Sequence, residues 1–148
     1  MSSPLEKIKE SLSDIANTIK EAGSRRLIAR VQPKNLRTIF DKFSRDFKED
    51  FYLDFLVAVD YLEEKQFELN YGVWIYSLKT LLTIKTRIQR ENPTIETISD
   101  VIPSAGNHER EAYDLMGIIF SGNNALRRGF LVTEEITDSF PLRKDWVK

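Results

Sequence analysis

Apolar side chains fall on every second position from Phe67 through Leu69, Tyr71 and Val73 to Ile75, with Glu68, Asn70, Gly72 and Trp74 between them. The alternation returns at Leu82, Ile84, Thr86 and Ile88. A period of two matches the opposite faces of a β-strand, whereas a helix brings every third or fourth residue round. These segments are therefore committed to half-buried strands. The stretch from Tyr52 to Tyr61 is almost continuously apolar, interrupted by Asp54 and closed by Asp60, and the polar turn Glu63-Glu64-Lys65-Gln66 follows it. Strands are expected over residues 52–61, 67–76 and 80–88. Their connections are too short for parallel crossovers, which need about a dozen residues or more, so the three form an antiparallel meander.

Helical spacing dominates before residue 48. Ser3-Pro4-Leu5-Glu6 has capping-box spacing with proline at the first helical position. Leu5, Ile8, Leu12, Ile15 and Ile19 recur at steps of three and four, and Gly23 offers a stop, which predicts one helix over residues 5–22. Arg26 to Val31 is a short strand candidate. Pro33 opens a second amphipathic helix, with Leu36, Ile39, Phe40 and Phe43 on one face. Pro93 ends the regular sheet, and Val101 to Gly106 reads as loop. Asn107 caps a third helix that runs through Met116 and stops at Gly117. Beyond Phe120 the chain turns irregular: Gly122-Asn123-Asn124, a double arginine, an acidic stretch, then Pro141-Leu142-Arg143-Lys144-Asp145. The expected fold is α+β, an antiparallel sheet covered by the N-terminal helices, with a C-terminal helix and an extended irregular tail. No repeat, low-complexity tract or boundary divides the 148 residues, which reads as one domain.

Composition narrows the chemistry. With 41% apolar and 30% charged residues and a net charge of −1, the chain is globular and carries no global attraction for nucleic acid or anionic lipid. It has no cysteine, which excludes disulfides, zinc–thiolate sites and cysteine-ligated iron–sulfur clusters. His108 is the single histidine, so a multi-histidine metal site cannot be built. The six glycines never fall in a phosphate-cradling spacing. The opening MSSPLEKIKE lacks a signal peptide's apolar region, and no apolar run approaches the roughly 20 residues of a membrane span. At a membrane, this chain is expected to be held by a partner.

The densest polar cluster is His108-Glu109-Arg110-Glu111-Ala112-Tyr113-Asp114. On a helix, His108 and Glu111 lie three apart and Arg110 and Asp114 four apart, which brings each pair onto one face. Glu109, Glu111 and Asn107 stand where acceptors suit a helix N-terminus. An enzyme would use a carboxylate pair and His108 as acid and base. The plainer reading, a capped and charged helix paired with basic residues elsewhere, is favoured because carboxylates beside arginine ionise and pair. Arg127-Arg128 and Arg143-Lys144 are the basic counterparts, whose guanidinium groups match carboxylates either within the chain or on a partner. Tyr71, Trp74 and Tyr76 could stack bases, but their neighbours Glu68 and Asn70 favour core or partner packing.

The run Glu109-Arg110-Glu111-Ala112-Tyr113-Asp114-Leu115-Met116-Gly117-Ile118-Ile119-Phe120 resembles the signature E-R-E-x-[YF]-D-[LM]-[FM]-G-[IV]-x-F of the 30 kDa (C-type) subunit family of respiratory complex I. Gly122, Leu126, Arg127 and Arg128 match its continuation G-H-P-x-L-R-R, while Asn123, Asn124 and Gly129 depart from it. Pro141-Leu142-Arg143-Lys144-Asp145 matches the family's closing P-L-R-K-D. Upstream, Asp54 to Tyr61, Phe67-Glu68-Leu69-Asn70-Tyr71 and Ile102-Pro103-Ser104-Ala105 resemble its successive strands and its approach to the signature. The resemblance spans residues 50–146, with its signature region at 104–146; residues 1–49 match only in element order. The tryptophan usual before the signature is absent, and the chain stops three residues after Asp145, without the long tail of many relatives.

The resemblance implies a cofactor-free structural subunit in the peripheral, cytoplasmic-side arm of a membrane-bound NADH, F420H2 or ferredoxin dehydrogenase. Iron–sulfur clusters are then expected in partner subunits. The implied role is to clamp the hydrogenase-like large subunit beside those iron–sulfur subunits, with no nucleic acid and no direct membrane insertion. No activity is expected of the chain alone. The equivalent subunit of a membrane-bound nickel–iron hydrogenase or of a sulfur-reducing relative is the alternative, and a free-standing protein-binding module the second. The expected docking residues are Glu109, Arg110, Glu111, Tyr113, Asp114, Arg127, Arg128 and Arg143.

Overall fold

The computed structural model describes residues 3–132 and 139–146. The elements run α1 (Pro4–Leu12), β1 (Thr18–Gly23), β2 (Arg26–Arg30), a 3-10 turn (Pro33–Asn35), α2 (Leu36–Asp46), β3 (Phe51–Tyr61), β4 (Gln66–Ile75), β5 (Thr80–Gln89), β6 (Thr94–Glu96), α3 (Ala105–Met116) and β7 (Ile119–Ser121). The main sheet has the order β1-β2-β5-β4-β3, and β6 and β7 form a small parallel pair. The β3-β4-β5 meander is antiparallel, as its alternation and short turns require. β2 lies parallel to β5, because α2, β3 and β4 intervene between them and supply a crossover long enough for a parallel partner.

The first helix is half as long as its spacing predicts. The Ser3 half of the capping box forms, with Ser3 Oγ accepting from Glu6 N–H at 3.2 Å, while the Glu6 carboxylate turns to Lys9. The helix then ends at Leu12, and Ile19 belongs to β1, paired with Ala29 of β2. Asn17, Thr18 and Ile19 are weak helix formers, and β2 would otherwise be an open edge. Strand pairing therefore takes these residues, and Gly23 (φ 146°) sits at the β1–β2 turn instead of a helix end. The third helix begins at Ala105, two residues before the expected cap. Ser104 holds the cap position without a side-chain bond, and Asn107 lies inside the helix. The expected stop is correct: Gly117 adopts the left-handed conformation (φ 81°) and donates its N–H to Tyr113 O. The acidic stretch at 133–138 lies outside the described residues.

The core lies on one side of the sheet. Phe67, Leu69, Tyr71, Val73 and Ile75 of β4 are buried there with Leu82 and Ile84 of β5. Ile39, Phe40 and Phe43 of α2 close over them, the Phe40 ring 5.5 Å from that of Tyr71. Leu5, Ile8 and Leu12 of α1 extend the same core. Ala112 and Met116 of α3 add to it. The Tyr71 hydroxyl is buried without a hydrogen-bond partner among the described residues. The other residues of each strand form a face over which no described helix lies. Phe55 crosses that face above Gly72, where β3 carries a bulge and where any Cβ would overlap the ring.

Candidate functional site

The α3 cluster divides into an inner and an outer set. Glu109 is fully buried. One oxygen accepts from the Thr97 hydroxyl and from Asn123 Nδ2 at 2.9 Å; the other accepts from Ile98 N–H at 3.0 Å. No lysine or arginine lies within ion-pair distance among the described residues. Burial pushes its pKa upward, and the three donors offset that only in part. Glu109 thus ties the segment before α3 and the loop after β7 to the helix.

Asp114 is also fully buried, near the C-terminal end of α3, where the helix dipole disfavours an anion. Four donors outweigh that. Oδ1 accepts from Gly129 N–H at 2.9 Å and Arg128 Nε at 3.1 Å; Oδ2 accepts from Leu131 N–H at 2.6 Å and Val132 N–H at 3.0 Å. Burial alone would raise the pKa, but the backbone donors and Arg128 bring it down to about 2. Arg128 also donates to Ser139 O and stacks on Phe140, its guanidinium carbon 4.2 Å from the ring centre. Asp114 takes its guanidinium from Arg128 and not from Arg110 one helical turn away. Arg110 turns instead to the Phe130 ring, 3.9 Å from its centre, and to Asn107.

Arg143 completes the inner set. Its Nε donates to Met116 O at 2.8 Å, capping the end of α3, and its guanidinium stacks against Phe140 and Phe67. Leu142 N–H bonds Leu115 O, so the closing segment lies along the helix. Glu111 and Arg127 are exposed; Tyr113 and Arg110 are half-buried. Of the eight residues expected to dock a partner, Glu109, Asp114, Arg128 and Arg143 hold the chain's own loops. Glu111, Arg110, Tyr113 and Arg127 reach the surface.

Two further charged centres do not follow from the sequence motifs. Asp60 is buried at the end of β3 and takes a two-pronged bond from Arg90 (2.8 and 3.0 Å) and the N–H of Lys144 at 2.8 Å. Arg90 reaches on to Asp145 at 2.7 Å. Burial works against ionised Asp60, yet the Arg90 bonds hold its pKa below the usual carboxylate range. The closing segment is thereby fastened to the meander. The second centre is Glu68 on the helix-free face. Its side chain is 2% exposed and meets Arg30 and Arg87 at 3.1 Å and Lys85 at 3.6 Å. The three cations hold its pKa down against burial. Alternation places Glu68 opposite the core residues of β4, and within β5 the cations Lys85 and Arg87 alternate with the core residues in the same way. That parity is the signal by which the centre could have been found.

A family model described as respiratory-chain NADH dehydrogenase, 30 Kd subunit, matches residues 29–148. The chain belongs to this family. The C-type subunit of the NADH-quinone oxidoreductase of Roseiflexus castenholzii is 33% identical over 122 residues, 80% of this chain and 68% of the relative. The C-type subunit of the F(420)H(2) dehydrogenase of Methanosarcina mazei is 33% identical over 89 residues, 60% of this chain and 56% of the relative. Among solved structures, a chain of the membrane-bound sulfane sulfur reductase, an archaeal respiratory membrane complex, superimposes with a TM-score of 0.86. It is 28% identical and is matched over 97% of this chain and 85% of that one. The chain spans about two fifths to two thirds of the length of the curated relatives it matches. The 148 residues contain no cysteine. Among the described residues no helix is long and apolar enough to cross a membrane, and no three His, Cys, Asp or Glu side chains converge as a metal site.

Proposed function

We propose that the chain is a non-redox structural subunit of the peripheral, cytoplasmic-side arm of a membrane-bound dehydrogenase of the complex I type. Electrons from NADH, F420H2 or ferredoxin would pass through its partners and not through this chain. Its task is to clamp the hydrogenase-like large subunit and so hold the clusters of neighbouring iron–sulfur subunits in register. The observation that carries this reading is the family match over residues 29–148 in a chain with no cysteine. Glu111, Arg110, Tyr113 and Arg127 supply the docking contacts, on a platform that Glu109, Asp114, Arg128 and Arg143 keep rigid. The likeness to a chain of the sulfane sulfur reductase favours, as a second reading, the equivalent place in a hydrogenase-type or sulfur-reducing complex.

The test is affinity purification of the tagged full chain from membranes of its own host at moderate salt. A large subunit and iron–sulfur proteins should co-elute in fixed ratio, and alkaline or chaotropic washing should release the chain. Recovery of the chain alone at every salt concentration overturns the proposal. The identity of the co-eluting subunits separates dehydrogenase from hydrogenase-type assembly.

A further inference from the structure

The helix-free face of the main sheet is divided by charge. Register places Lys20 of β1, Arg26 and Arg30 of β2, and Lys85 and Arg87 of β5 on it. Against these five cations stand Glu68, buried beneath three of them, and Asp54 at the β3 bulge. Elsewhere acids outnumber bases, since the whole chain carries −1. The cations are therefore gathered here. The β3 side of the same face is apolar: Phe55, Val57, Val59 and Tyr61 follow one another at every second position, and Val57 is 50% exposed. An open depression crosses the join, lined by Phe55, Val57 and Val59 on one side and Lys85 on the other, with Glu68, Asn70 and Thr83 between them.

We propose that this face is a docking surface for one acidic, amphipathic segment of a partner subunit, with apolar side chains over β3 and carboxylates over β2 and β5. The inference rests on the subunit reading above and adds a surface that adjoins α3 only at its β3 edge, where Val57 also lines a depression with Glu111. Charge complementarity selects the occupant. Glu68 neutralises one positive charge of the Arg30, Lys85 and Arg87 group and leaves the excess to an incoming carboxylate. Arg30 keeps half its side chain exposed, so a guanidinium fork remains available for a two-pronged bond. Arg87 lies over the Tyr61 ring, 4.1 Å from its centre, so the basic and apolar halves meet without a gap. A second copy of the same face would bring like charges together and is disfavoured.

The test uses the full chain in its native complex. A photo-crosslinking amino acid at position 57 should capture a peptide of another subunit that carries both Asp or Glu and apolar residues. Capture of this chain's own sequence, of lipid, of RNA, or of nothing overturns the proposal. In parallel, Val57→Glu and Arg26→Glu are combined, leaving every Glu68 partner intact, and thermal unfolding of the isolated variant checks its fold. Retention in the complex should fall at least tenfold against wild type, while Lys7→Glu with Lys34→Glu, away from this face, should leave it unchanged. Undiminished retention of the face variant beside a normal wild type refutes the surface and leaves the subunit reading standing. Failure of wild type itself to co-purify removes both. If the face variant does not fold, the wild-type-background cross-link decides.

Discussion

Two buried carboxyl groups five residues apart on one helix titrate in opposite senses because their donors differ. Asp114 faces three backbone N–H groups and a guanidinium, and its folded pKa of about 2 lies below the ordinary aspartate value. Its stabilisation is complete above about pH 4 and is lost as pH falls towards 2, worth on the order of 2 kcal/mol. Asp114→Asn should therefore destabilise the chain by about 2–3 kcal/mol at pH 7 and progressively less below pH 4, read from urea midpoints across pH. An unchanged deficit at pH 2 would show that the ionised carboxylate is not the cause. Glu109 has neutral donors only, and burial raises its pKa. Stability linked to Glu109 is full below the ordinary glutamate pKa and falls as pH rises through the folded value. Glu109→Gln should accordingly flatten the decline in stability as pH rises above the ordinary glutamate value. A variant whose pH profile parallels wild type would contradict this.

At the scale of the element, α3 is a post to which two irregular segments are bound. Its C-terminal end shows the device. Gly117 turns left-handed, and the closing segment packs so tightly against it that a Cβ would lie 2.7 Å from Arg143 Nη2 and 2.9 Å from the Phe140 ring. Gly117→Ala adds backbone strain of about 1 kcal/mol to that overlap. It should cost about 2–4 kcal/mol in total. It should also speed exchange of the Leu142 amide, which bonds Leu115 O, more than that of β4 amides. Uniform acceleration would mean that the closing segment is not a separate unit. At the other end of the chain, the helical spacing from Leu5 to Ile19 yields to pairing of β1 with β2. In the strand Ile19 stays half-buried against the core and the β2 edge is satisfied as well.

For the molecule as a whole, the charged residues divide between internal ties and a surface left for others. Arg128 binds Asp114 and Ser139 O, whereas Arg127 is exposed. Arg128→Ala should lower stability by about 3–5 kcal/mol, since it strands a buried carboxylate. Arg127→Ala should leave the melting temperature of the isolated chain within about a degree of wild type and weaken co-purification with the large subunit. Equal loss of stability in both variants would remove Arg127 from the docking set. The double substitution acts on fold and assembly together, so only the single variants separate the two.

Period-two alternation determined the meander outright, because a strand cannot shift by one residue without turning Phe67, Leu69, Tyr71, Val73 and Ile75 to water. The Ser3 cap, the Gly117 stop and the α2 face were equally local and equally legible. The signature from Glu109 to Phe120 was legible as a resemblance, and its membership stands. Three things were decided by tertiary structure. β2 was paired with β5, and β1 took the second half of an expected helix, because unpaired backbone at a sheet edge outweighs weak helical propensity. The partners of the charged residues were chosen at long range: Asp114 bonds Arg128 in preference to Arg110, and Asp60 bonds Arg90 and the Lys144 amide, 84 residues away. Side-chain spacing states which charges can share a helix face. Which of them leave water, and with whom, depends on where the chain returns.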